Sequence, residues 1–155
     1  MNPPPKLKID FGQPHHGWVL VSLEYGEFSL KLDVSNVPTD PMQQLLEALA
    51  GLHKGINYPD PIIWHLEPYC YYAQFEKVRN NYKIKISESE EFKGPARFVC
   101  EFEGDYQQMI LPFYRAMKRF YSYNYQPPAW NEPDQKRIVK LKELVQSKKT
   151  NKSDS

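Results

Sequence analysis

The sequence has no run of about 18 or more apolar residues, the length a helix needs to cross a bilayer. Its opening Met1-Asn2-Pro3-Pro4-Pro5-Lys6 lacks the apolar stretch of a secretory signal. Together these absences make the cytoplasm the expected compartment, with no membrane association. Cysteine is scarce, with two in 155 residues. Cys70 and Cys100 sit in strand-like apolar runs, where a free thiol behaves as a small hydrophobe, so both are expected to be structural and reduced. Cys-x-x-Cys and His-x-x-x-His spacings are missing, which leaves no recognisable zinc motif. The glycines form no phosphate-cradling loop, and no serine or cysteine stands in a nucleophile elbow. No catalytic residue, metal or cofactor is therefore assigned.

What is present is core-forming material. Hydrophobic residues make up 41% of the chain, with eleven tyrosines and eight phenylalanines, far above what a disordered chain carries. At 155 residues this suits one domain. The formal net charge of +1 conceals an asymmetry. Residues 135–155 hold seven basic side chains against Glu143 and Asp154, a local net of +5, which leaves 13 basic and 17 acidic side chains in residues 1–134, a net of −4. We read residues 1–134 as a single mildly acidic α+β domain and residues 135–155 as a basic C-terminal helix and disordered tail.

Periodicity supplies the elements. Lys6 to Phe11 alternates with Leu7, Ile9 and Phe11 on one face, as a half-buried strand does. Val19, Val21, Leu23 and Tyr25 follow, then Phe28, Leu30, Leu32 and Val34, two strands meeting in a hairpin at Gly26. Asp40-Pro41 opens a helix with the stripe Met42, Leu45, Leu46, Leu49 and Leu52, and Gly55 stops it. Strands are predicted over 62–67, 71–78, 82–87 and 97–102, with a turn at Asn80-Asn81 and a charged loop over Glu88 to Pro95. A second helix is predicted from about Asp105 to Ser122, where Pro112 either kinks the helix or marks a start near residue 111, the kink being favoured. Tyr123 to Trp130 is an irregular crossing packed on the body, residues 135–148 are helix-compatible, and disorder is expected from Lys149. The predicted architecture is an antiparallel sheet of six to seven strands under two main helices.

Few residues stand out for chemistry. His65 and Glu67 fall on one face of a predicted strand and could form an acid–base pair, although two polar residues on a solvated sheet face is the plainer reading. His15 and His16 share a loop without further ligands at metal spacing. His53, at the end of the first helix, is expected to act as a cation on the helix dipole. The basic tail is a possible nucleic-acid contact, with a solubilising helix the commoner outcome. The tyrosine excess is more informative: Tyr69, Tyr71, Tyr72 and Tyr82, with Glu88, Glu90 and Glu91 close in sequence, form the predicted partner-binding surface, since tyrosine offers large contact area with a polar tip.

Across residues 17 to 130 the landmarks resemble a family of small bacterial proteins akin to immunity proteins of polymorphic-toxin and contact-dependent inhibition systems. The matching positions are Gly17-Trp18, the hairpin Gly26, Asp40-Pro41 with Leu45-Leu46, Gly55, and Trp64-x-x-Glu67-Pro68. Tyr69 stands where that pattern has a glycine, and the basic tail lies outside it. The resemblance implies an antiparallel sheet with helices and a stoichiometric binder of a cognate toxin domain. It transfers no binding residues.

Overall fold

The computed structural model describes residues 5–57 and 60–153, with side chains described to Lys149. Strict alternation produces the first strand, β1 (Leu7–Phe11), whose Leu7, Ile9 and Phe11 are buried while Lys8 and Asp10 face solvent. β2 (Trp18–Tyr25) and β3 (Phe28–Ser35) pair antiparallel in full register from Trp18↔Ser35 to Tyr25↔Phe28. The loop between them is Gly26-Glu27, and Gly26 takes a positive φ of 61° that a side chain would strain. β4 (Ile62–His65), β5 (Cys70–Val78), β6 (Asn81–Ser89) and β7 (Arg97–Gly104) complete a seven-stranded antiparallel sheet in simple sequential order. The β5–β6 turn is Arg79-Asn80, one residue earlier than predicted, because Val78 pairs with Asn81 and Arg79 adopts the positive φ.

This sheet has one thin seam. β3 and β4 share a single pair, Ser35↔His65, whereas every other neighbouring pair runs for at least four residues. Helices bridge it. α1 (Pro41–His53) begins at Asp40, whose Oδ1 accepts from the amides of Met42 (2.9 Å) and Gln43 (3.3 Å) while its Oδ2 accepts from Asn131 (2.9 Å). It ends in a Schellman motif: Gly55, at φ 76°, donates to Leu52 O, and Ile56 donates to Gly51 O. Its predicted stripe, Met42, Leu45, Leu46, Leu49 and Leu52, is buried throughout. Asp40→Ala is expected to lower stability by about 1–2 kcal/mol through lost capping, read as a lower urea midpoint at unchanged slope. An unchanged midpoint would show that Asn131 and water replace the cap.

The second helix is not one kinked rod. A single turn, α2 (Tyr106–Met109), is capped by Asp105 and Gln108 in a capping box, and α3 (Leu111–Ser122) starts afresh with Pro112 in its first turn. Proline is tolerated there because its missing N–H has no intrahelical partner to lose. α3 lies on β1, where the Phe120 ring meets Phe11 edge-on at 6.5 Å. α4 (Gln135–Ser153) packs on the outside of α1 through buried Leu141 and Val145, so the core extends past residue 134. The helix runs beyond Lys148, where order was expected to end, and Asp154 and Ser155 lie outside the described residues. The crossing over 123–134 returns to the body, burying Trp130 and placing Ala129 O on the Gly17 amide at 2.8 Å.

Candidate functional site

Along the helix-facing side of the sheet, apolar rows run Tyr82, Ile84 and Ile86 on β6 against Phe75 and Ala73 on β5 and Phe102 on β7. The next row changes character. Tyr71 pairs with Glu88, and Glu88 pairs with Arg97. The last pairing depends on a β-bulge, since β6 and β7 keep register to Ile86↔Cys100 and then slip, giving Ser87↔Phe98 and Glu88↔Arg97. Bulges re-aim side chains in this way. Without the slip, Phe98 would face Glu88; with it, Phe98 turns to the opposite side, where it is 61% exposed.

Arg97 Nη2 reaches Glu88 Oε1 at 3.0 Å, and the Tyr69 and Tyr71 rings stand edge to face at 5.6 Å beside them. Hydrogen bonding from Tyr69, with Tyr71 and Arg97 behind it, holds the Glu88 carboxyl below its ordinary range. Burial, then Glu88, pushes the Tyr71 phenol up to about 12. Three of the predicted partner-binding residues, Tyr69, Tyr71 and Glu88, are thus brought into one cluster, and sequence reading missed its fourth member, Arg97. Glu88 belongs to β6 rather than to the loop in which it was expected. Glu90 and Glu91 are exposed just beyond it.

The other two tyrosines lie elsewhere. Tyr82 is 4% exposed and belongs to the core, as its shared parity with Ile84 and Ile86 would have indicated. Tyr72 lies on the opposite side of the sheet, where its hydroxyl accepts from the Lys93 amide at 3.3 Å.

His65 and Glu67 do not form the expected solvated pair. β4 ends at His65, which is 3% exposed, hydrogen-bonded through Nε2 to Thr39 Oγ1 at 2.8 Å and covered edge-on by Phe92. Glu67 lies outside the strand at φ 59°. Burial lowers the His65 pKa, and Glu67 opposes that shift without overcoming it.

His53 also departs from its expected role. Nδ1 must donate to Leu49 O (2.7 Å), because a carbonyl only accepts, and Nε2 then accepts from the Tyr106 hydroxyl (2.6 Å). Burial lowers its pKa, so it is a neutral, doubly engaged imidazole rather than a cation on the helix dipole. It borders a cleft of about 510 Å³ with Asn80, Asp105, Tyr106, Ser147 and Lys148. Both of its ring nitrogens are already in use there, which leaves no free base.

Cys70 and Cys100 are free thiols, and burial pushes Cys100 up to about 11, away from reactive thiolate. Among the described residues, no three His, Cys, Asp or Glu side chains gather as metal ligands, and no helix is long and apolar enough to cross a membrane. Comparison with family models, curated proteins and solved structures finds no match.

Proposed function

We propose that this chain is a protein-binding module that neutralises a cognate toxin domain by stoichiometric occlusion, with its recognition surface at the Tyr69–Tyr71–Glu88 end of the sheet. The observation that carries the binding reading is the convergence of two partly exposed tyrosines with an ionised carboxylate, in a row where the apolar core face would otherwise continue. Aromatic rings with polar tips next to fixed charge are what interface centres use. A body of net −4 would speed capture of a basic partner without determining the fold. The toxin-neutralising form rests on the landmark resemblance over residues 17 to 130.

The test is affinity capture from the native cell with the wild-type chain and with a Tyr69→Ala/Tyr71→Ala variant that retains its circular dichroism. One stoichiometric partner is expected on the wild type, with affinity falling about tenfold or more in the variant, the loss expected of two hot-spot rings. A monomer with no partner would overturn this reading. It would return attention to nucleic-acid contact through residues 135–155.

A further inference from the structure

The Tyr69–Tyr71–Glu88 cluster already contains a cation. Arg97 reaches Glu88 at 3.0 Å from a side chain that is 67% exposed, and it arrives there only through the bulge that displaces Phe98. An ion pair this open is held weakly, because solvent and side-chain entropy offset most of its attraction. Glu88 is the better-buried partner, with 22% of its side chain exposed, and it accepts hydrogen bonds from Tyr69 and Tyr71, whose rings meet edge to face. Glu90 adds a further carboxylate within electrostatic reach of Arg97 and makes no ion pair of its own among the described residues. A fixed carboxylate beside aromatic rings is a receptor for a planar guanidinium, which stacks on rings and pairs with carboxylate at once, as an ammonium does less well.

Resting on the protein-binding reading above, we propose that Arg97 is a placeholder: the Tyr69–Tyr71–Glu88 cluster receives an arginine from a basic segment of the bound protein, and Arg97 leaves Glu88 when that side chain arrives. Removing Arg97 should then improve binding of an arginine-bearing ligand instead of impairing it. A merely structural ion pair has no such sign.

The probe is a fluorescein-labelled arginine nonapeptide, compared with its lysine counterpart, titrated against the full chain at low and moderate salt. Lys31→Ala and Glu24→Gln, two exposed sites on the first hairpin, make the same changes in net charge elsewhere and serve as controls. Arg97→Ala is expected to bind the arginine peptide about three- to tenfold more tightly than Lys31→Ala does, and the lysine peptide with much less gain. Glu88→Gln is expected to weaken arginine-peptide binding more than Glu24→Gln does. If Glu88→Gln unfolds, Glu88→Asp, which keeps the charge and draws the carboxylate back from the two tyrosines, takes its place with the same direction expected. Equal gains for Arg97→Ala and Lys31→Ala, or for the two peptides, would overturn the placeholder. A captured native partner indifferent to Arg97→Ala would overturn it too while leaving the binding reading intact, whereas absence of any partner overturns that reading whatever the peptides do.

Discussion

Phe120→Ala is expected to cost about 3–5 kcal/mol, the range for emptying a well-packed aromatic site. Phe120 is fully buried and touches four other rings: Phe11 on β1 at 6.5 Å, Tyr121 at 5.3 Å, Tyr125 at 5.4 Å and Trp130 at 5.6 Å. It joins β1 to the crossing that follows α3. Among the described residues, the Tyr125 hydroxyl and Trp130 Nε1 are both buried without a hydrogen-bond partner. Ring packing, not side-chain hydrogen bonding, therefore holds these two residues, and the alanine variant removes its centre. Total stability for a domain is of order 5–15 kcal/mol, so this one change should remove a large part of it. Urea unfolding gives the loss directly, and tryptophan emission should shift red as Trp130 meets water. A loss under about 1 kcal/mol would mean that the cavity collapses and that the crossing is held by its backbone contacts instead.

Acid should destabilise the fold before any carboxylate is protonated. His53 and His65 both have folded-state pKa values below the ordinary 6.5, each chiefly because burial disfavours the charged ring. Above that value both states carry neutral rings and these groups add no pH dependence. As pH falls below 6.5 the unfolded chain takes up protons that the folded chain refuses, so stability falls with pH until the depressed folded values are reached. Each histidine contributes a slope of at most about 1.4 kcal/mol per pH unit, and the pair at most about 2.7. Glu88, whose folded pKa is lowered from 4.5, adds its own loss only below that value. Urea midpoints between pH 8 and 5 should be level at first and then decline, and His53→Asn with His65→Asn should flatten the decline. A level curve across the whole range would refute the buried-neutral assignment of both rings.

Much of the fold was legible because one face of each strand is buried and the other is not. Leu7, Ile9 and Phe11, and Val19, Val21 and Leu23, alternate with polar neighbours and identify their strands without ambiguity. The first helix was legible from its capping aspartate, its stripe and its stop. What escaped depends on register and on distant loops. Arg97 joins Glu88 only through a slip between β6 and β7, which no local pattern announces. His65 was placed on a solvated face, yet Thr39 and Phe92, far away in sequence, cover it. His53 finds Tyr106 across 53 positions, and that contact turns an expected cation into a neutral hydrogen-bonding bridge. The candidate surface was half legible: its tyrosines by excess and its carboxylate by proximity, its guanidinium not at all.

The seam between β3 and β4 also bears on how the chain is assembled. Because Ser35↔His65 is the sole pair across it among the described residues, Leu7–Ser35 and Ile62–Gly104 are two self-contained meanders, each built from neighbours in sequence. The apolar side of the first meander is closed by Leu111–Ser122, the late-sequence helix that rests on β1. During synthesis β1, β2 and β3 can therefore pair soon after they emerge, but the apolar side of β1 stays bare until Leu111–Ser122 follows, an interval in which exposed hydrophobic surface favours misassociation.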